Sequence, residues 1–363
     1  MTKELLNVDS LQTINDLLVK SLHAGASDLH ITVYRPVTFR INGNLIAIGD
    51  HPLTPDETEC FARAITTEEQ FAEVEAKGEF DFSYVIPHVS RFRVNVFKQR
   101  KSLAISARVI KPELPTIESL GMPQSLKEIA LRPRGLFLVT GPTGSGKSTT
   151  LAAMIEHINR SRSCHILTLE NPIEYLFRHN VAMINQREVG DDTRSFSSGL
   201  RAGLREDPDV ILVGEMRDLE TISTAVSAAE TGHYVLSTLH TTSAASTVDR
   251  IIDSFPPHQQ QQVRIQLAST LQAVLSQQLL PLADGNGRVA AIELLLMNDA
   301  VRNMIREGKS HQIDTVLQTN IKNGMIPMDF SLAELVKQGH VTFDDAMSRC
   351  QNTDMLKRYL QNF

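Results

Sequence analysis

Tryptophan is absent from this chain, aromatic residues make up 5%, and cysteine occurs three times in 363 residues. The shortage of aromatics calls for cores built from aliphatic side chains. Cys60, Cys164 and Cys350 stand far apart and form no Cys-x-x-Cys pair, which excludes a disulfide framework and a tetracysteine zinc site. Basic charge is in deficit. The formal net charge of −6 argues against a chain-wide basic surface for nucleic acid and leaves room only for a local patch. No segment approaches the roughly 20 apolar residues of a membrane span. Residues 1–8 carry no basic stretch leading into a long apolar run, so no signal peptide is expected. The expected location is the cytosol, with any membrane contact made through a partner. Hydrophobic residues at 42% and charged residues at 21% match a soluble globular protein, and the length suggests two domains.

Residues 1–110 read as a mixed domain. Leu11, Ile14, Leu17, Leu18 and Leu22 share one helical face, with Gly25 as a stop. Residues 28–34 alternate as a strand does, and 37–41 and 45–48 flank Asn42-Gly43-Asn44, a hairpin signal. A helical pair near 55–76 precedes strands at 80–86, 91–98 and 103–110. Pro112, Pro115, Pro123 and Gly121 mark 111–123 as a linker, because proline interrupts both helix and ladder. From 124 to 363 the pattern alternates: strand 135–140, helix 147–160, strand 165–170, strand-like 181–187, helix 194–205, strand 209–214, helix 218–229, strand 233–239. Such alternation predicts a mainly parallel sheet covered on both faces. The C-terminal stretch reads as mostly helical, with Thr342 to Asp345 in the form of a helix start. The glutamine run 259–262 reads as the solvated start of a helix.

The most informative segment is Gly141-Pro142-Thr143-Gly144-Ser145-Gly146-Lys147-Ser148-Thr149, a complete Walker A pattern. It sits between the apolar strand Leu136–Thr140 and a helix with Leu151, Met154 and Ile155 at helical spacing, the context a phosphate cradle requires. The three glycines let backbone N–H groups turn inward around phosphate oxygens, and the helix start adds a positive dipole end. In such a cradle Lys147 bridges the β- and γ-phosphates, and the Ser148 hydroxyl is a magnesium ligand.

Hydrolysis also needs an acid on the magnesium side, a group that orients water, and positive charge at the γ-phosphate. Val210–Gly214 leads into Glu215. A buried parallel strand delivers its C-terminal residue to the ligand crevice, so Glu215 is favoured over Asp209, which precedes the strand. Ile166–Glu174 is a second strand running into an acidic turn, where Glu174 or Glu170 could polarise water. A third strand ends at His240, a candidate reporter of the γ-phosphate. Arg91, Arg93 and Arg108 lie on strands of the N-terminal domain. By default they are solubilising, and in a ring they could serve a neighbour's nucleotide in trans.

These blocks, in this order and over nearly the whole chain, resemble the secretion ATPase superfamily, and within it the type IV pilus retraction ATPases of the PilT family. The resemblance rests on Ala26–Ile31, Arg91–Asn95, the Walker A loop, the acidic box at 166–175, Val213–Asp218, and the histidine box from Glu230 to Thr242. The segment Ala300–Glu307 is similar to a C-terminal helix motif of retraction motors. The resemblance implies an α/β chain: a PAS-like N-terminal domain (1–110), a hinge linker (111–123) and a RecA-like P-loop ATPase domain with a helical C-terminal region (124–363). It implies a homohexameric motor that uses ATP and Mg2+ to retract pili in twitching motility. The implied motor is peripheral at the cytoplasmic face of the inner membrane and acts on a pilus platform protein. An accessory retraction ATPase is a second candidate partner, and nucleic acid is not expected.

By matching positions, the resemblance makes Glu174 the catalytic glutamate, Glu215 the magnesium-side acid and His240 the γ-phosphate sensor. Arg93 and Arg108 become contacts to nucleotide across a domain or subunit boundary. Asn171 stands where the family usually has Asp, which removes one charge and leaves Glu174 in place. The alternatives are an assembly or type II secretion motor, an accessory retraction ATPase, and a nucleotide-gated scaffold with little turnover. Assembly relatives usually carry a tetracysteine insertion, and Met216-Arg217-Asp218 resembles the main retraction type.

Overall fold

The computed structural model describes residues 3–361 apart from Asn42, His88, Lys111 and Pro112, with side chains from residue 10 onward. The chain divides into two compact units, Met1–Glu113 and Leu114–Phe363.

The first unit is a six-stranded antiparallel sheet, ordered β3-β2-β1-β6-β5-β4. Its strands are β1 (Asp28–Ile31), β2 (Thr38–Ile41), β3 (Asn44–Ala47), β4 (Glu79–Ile86), β5 (Ser90–Gln99) and β6 (Ser102–Ile110). Strand alternation sends Leu29, Phe39, Phe92, Val94, Val96, Ile105 and Ala107 into one core. That core is closed by helices Lys3–His23, Pro55–Ile65 and Glu68–Lys77 through Ile14, Leu18, Phe61 and Phe71. Capping boxes at Thr54 and Thr67 start the second and third helices. Leu11, expected on the buried helical face, is exposed, because the core contact begins one turn later at Ile14. The hairpin at Gly43 forms as β2–β3, and Asn42 lies outside the described residues.

The opposite face of this sheet is polar. Cross-strand register lines up Arg40, Asp28, Arg108 and Arg93 in one row. Asp28 is buried and binds Arg108 Nε at 3.0 Å and Ser27 Oγ at 2.8 Å. Burial opposes ionisation of Asp28, but these hydrogen bonds and the Arg108 charge outweigh it and hold its carboxyl below the usual range.

The second unit is built on a seven-stranded sheet ordered β13-β12-β7-β11-β10-β8-β9. Its strands are β7 (Gly135–Thr140), β8 (His165–Glu170), β9 (Met183–Glu188), β10 (Val210–Val213), β11 (Tyr234–Leu239), β12 (Leu271–Pro281) and β13 (Arg288–Leu296). All pairings are parallel except β12 with β13. Each central strand feeds two cores. On β7, Leu136 and Leu138 face one and Phe137 and Val139 the other; on β10, Ile211 and Val213 oppose Val210 and Leu212. This explains the continuous apolar runs: a strand covered on both faces has no solvated side. Ile117 and Met122 belong to the second core, so the stretch from 114 to 123 is packed against this unit. Lys111 and Pro112 lie outside the described residues.

The last strand read from the sequence is 233–239, and the structure adds β12 and β13, a long antiparallel hairpin beside β7. Helix Pro257–Thr270 runs directly into β12 with neither Gly nor Pro between them, which removes the local punctuation. Gln259, Gln261 and Gln262 are exposed at the start of that helix. Helices Met328–Lys337, Phe343–Arg349 and Thr353–Gln361 build a satellite core against Leu280 and Ala291.

Glu293 ties this end together. Its buried carboxylate accepts from Ala244 N–H at 2.7 Å and from Gln351 Nε2 at 3.1 Å. Burial pushes its pKa from 4.5 up to about 7, with Asp314 and Asp329 adding repulsion. Between those values the folded state keeps a proton that the unfolded state releases, so stability falls as pH rises through that window. Glu293→Gln should therefore gain in melting temperature over the parent between about pH 5 and about pH 8. An identical difference at both pH values would show that Glu293 does not titrate there.

Candidate functional site

The parallel strands send their carboxyl ends to one edge of the second sheet, and the candidate residues gather there. β7 ends at Thr140 and the chain turns at Gly141, whose φ is +144°. A Cβ at Gly141 would stand 2.2 Å from the Gln277 carbonyl oxygen and 2.6 Å from Ser145 Oγ, so only glycine fits. Gly146, left-handed at φ +88°, is the N-cap of helix Lys147–Ser161. No side chain caps that helix and its first turn contains no acid, so its leading N–H groups are left for an anion. Lys147 is buried, and its ammonium donates to the Gly141 and Pro142 carbonyls at 2.8 and 3.0 Å. Burial lowers its pKa, while the Glu215 and Glu174 carboxylates act in the opposite sense. Both acids thus reach the lysine electrostatically. Ser145 Oγ is buried and has no hydrogen-bond partner among the described residues, a polar atom that a phosphate oxygen would satisfy.

Glu215 follows β10 through Gly214. Gly214 N–H donates to Leu169 and Thr238 Oγ1 donates to the Gly214 carbonyl, which clamps the segment between β8 and β11. The Glu215 carboxylate lies 2.7 Å from Arg217 Nε and 3.6 Å from His240 Nε2. Asp209 sits at the other end of β10, where its carboxylate accepts the His165 N–H at 2.9 Å. Strand direction therefore separates the two acids by the length of the strand.

The acids at the end of β8 also differ. Glu170 accepts from Thr168 Oγ1 at 2.7 Å, from Gln186 Nε2 at 3.1 Å and from the Glu174 N–H. Burial pushes its pKa up to about 7 despite these bonds. Glu174 is exposed on the turn beyond the cis Asn171–Pro172 bond. That turn is held by others: Ile173 N–H donates to Glu188 at 3.0 Å, Gln186 Nε2 to the Tyr175 carbonyl at 2.8 Å, and Tyr175 OH meets Thr149 Oγ1 at 3.0 Å. The geometry makes Glu170 a turn anchor and leaves the Glu174 carboxylate free to face solvent beside Lys147. His240 is exposed at the end of β11. Arg93 and Arg108 are cross-strand partners in the first unit's sheet, and Arg108 is engaged with Asp28.

Several supporting residues escaped the sequence pattern. Gln186 and Glu188 on β9 hold the acidic turn, and Ser276 and Gln277 on β12 hold the loop. The sequence signal for Gln277 is the polar triplet Ser276-Gln277-Gln278 between apolar residues. In the C-terminal motif, Val301 and Ile305 are buried, and Arg302 donates to the Ala268 carbonyl that ends the preceding helix. Asn303, Arg306 and Glu307 stay exposed. Among the described residues no helix is long and apolar enough to cross a membrane.

A Walker A loop that joins β7 to helix Lys147–Ser161, with Glu215, Glu174 and His240 beyond the ends of the neighbouring parallel strands, defines a RecA-like P-loop domain. The first unit is the PAS-like sheet that precedes it. Residues 8–286 match the family model described as Type II/IV secretion system protein, and the chain belongs to that family. It is 46% identical to the type IV pilus retraction ATPase PilT of Pseudomonas aeruginosa, over 93% of this chain and 98% of that protein. It is 49% identical to a twitching motility protein of Neisseria gonorrhoeae, over 87% and 85%. The solved structure of the pilus retraction motor PilT with bound ADP superposes with a TM-score of 0.89 at 48% identity, covering 96% of this chain and 98% of that one.

Proposed function

We propose that this chain is an ATP-hydrolysing motor of type IV pilus retraction. The observation that carries the reading is a complete P-loop site within near full-length similarity to a retraction ATPase. In this reading ATP binds with its phosphates in the 141–149 loop, Lys147 spanning the β- and γ-phosphates. Ser148, exposed at the helix start, and Glu215, beyond the end of β10, would supply hard oxygen donors that suit Mg2+. The ion would neutralise charge on the phosphate oxygens. Glu174 orients the attacking water and takes up its proton; the bonded Glu170 keeps the turn in place. His240 reads the γ-phosphate beside Glu215.

Arg93 and Arg108 supply positive charge to nucleotide across a domain or subunit boundary in a homohexamer. Arg108 brings its Asp28 partner with it, so its guanidinium is pre-oriented at some loss of net charge. The linker 111–123 serves as the hinge, with Ile117 and Met122 staying packed in the second unit's core. ATP and its hydrolysis products bind the closed and open boundaries with different affinity, and that difference drives the cycle. The motor works at the cytoplasmic face of the inner membrane. It touches the pilus platform protein through Asn303, Arg306 and Glu307, the residues of the Arg302–Glu307 segment that remain exposed.

A strain lacking this gene should carry more surface pili than its parent and lose twitching motility. Loss of pili would instead make the chain an assembly motor and leave the ATPase chemistry intact.

A further inference from the structure

We propose that Gln277 is a positioning residue for the nucleotide reaction: from β12 it braces the P-loop at its first and last glycines. The proposal rests on the ATPase reading above and adds a residue outside the motifs that define it.

Gln277 is 2% exposed. β12 runs parallel to β7 with Leu275 opposite Val139 and Ser276 opposite Thr140, where the pairing stops. Gln277 is the next residue, so it faces the point at which β7 turns away into the loop. Its carbonyl oxygen lies 2.2 Å from the Cβ position of Gly141, and its side-chain Nε2 lies 2.8 Å from that of Gly146. Its Oε1 accepts the Thr150 hydroxyl at 2.8 Å, in the first turn of the phosphate-binding helix. One step back, Ser276 Oγ accepts the Thr140 hydroxyl at 2.9 Å, which fixes the loop's point of departure. One residue thus meets the loop's entry, its exit and the helix that follows.

An apolar side chain of similar size would fill the same space and avoid burying an amide. A buried amide is retained where its polar end has a fixed partner. Here the acceptor holds Thr150 at 2.8 Å, and Nε2 occupies the space that a side chain at Gly146 would need. This fixes the N–H groups after Gly146 relative to those after Gly141, the spacing on which simultaneous contact with the β- and γ-phosphates depends. Misplacement of such groups by about 1 Å costs on the order of 100-fold in rate.

The test uses the purified full-length protein. Gln277→Leu keeps the volume and loses both polar ends. Thr150→Val with Gln277→Leu removes both partners of the buried bond, so no unpaired hydroxyl remains. Gln277→Asn keeps the amide but falls short of the loop. ATP turnover, the affinity for a fluorescent ADP analogue and the melting temperature are measured for each. Under the proposal, Gln277→Leu loses about 10- to 100-fold in kcat/KM. The double variant regains melting temperature but not turnover, and Gln277→Asn, although it keeps an amide, loses turnover as Gln277→Leu does.

Recovery of turnover in the double variant would reduce Gln277 to a hydrogen-bond partner for Thr150 and overturn the proposal. So would parent-like turnover in Gln277→Asn, a result that decides even if Gln277→Leu fails to fold. Absence of turnover in the parent protein would instead sink the ATPase reading. ADP-analogue affinity then decides for Gln277: weakening of about tenfold supports the brace, and no change overturns it.

Discussion

Glu174→Gln should lower ATP turnover by about 10²- to 10⁴-fold while nucleotide binding is retained. The substitution is isosteric and removes only the base. The turn that carries Glu174 does not depend on its carboxylate, because Ile173, Tyr175 and Phe177 are bonded to Glu188 and Gln186 on β9. Binding should survive because Lys147, the glycines and the uncapped helix start are untouched. Phosphate release and titration with a fluorescent ADP analogue measure the two properties separately.

Glu170→Gln is the informative companion. It replaces a carboxyl whose ionisation burial opposes, so its melting temperature should gain on the parent's as pH rises from about 5 to about 8, a pH dependence that Glu174→Gln lacks. Unchanged turnover in Glu174→Gln would favour the nucleotide-gated scaffold and make Asn171, in the same turn, the first residue to revert to Asp.

Gly141→Ala should abolish detectable nucleotide binding and destabilise the second unit by about 1–3 kcal/mol. At φ +144° any side chain is strained, and the new methyl group meets the Gln277 carbonyl, a backbone atom that cannot rotate away. Relief requires β7 and β12 to separate at their paired ends or the loop to open, and either movement spoils the phosphate cradle. Gly285→Ala is the control for conformational strain alone. It lies at φ +75° in the β12–β13 turn with nothing within 4 Å, so it should lose some stability and bind nucleotide normally. Equal binding in the two variants would mean that the loop tolerates a shift at Gly141, contrary to the packing.

Much of the site is legible as sequence because its chemistry is local. A phosphate loop needs glycines at fixed offsets, a helix immediately after them and an apolar strand immediately before, and all three lie within 30 residues of one another. Strand polarity is also local, which is why the position of Glu215 relative to Asp209 follows from the order of residues along one strand. The choice between Glu170 and Glu174 was not available at that level. Both acids end the same segment, and they differ in their partners: Thr168, the Glu174 N–H and, from β9, Gln186 reach Glu170, and among the described residues no comparable set reaches the Glu174 carboxylate.

By itself the sequence determined the alternation of strands and helices, the phosphate loop and the set of acids that could serve it. Periodicity, glycine conformations and strand direction are properties of short segments. Tertiary structure alone decided that β12, far along the chain from the loop, lies against β7 and sets Ser276 and Gln277 on it. It alone decided that Arg302 is spent on the end of a neighbouring helix, and that Asp28 holds Arg108 in the row beside Arg93. Such pairings depend on which apolar surfaces find each other across the whole chain. The polar side chains that travel with those surfaces acquire partners that no local pattern encodes.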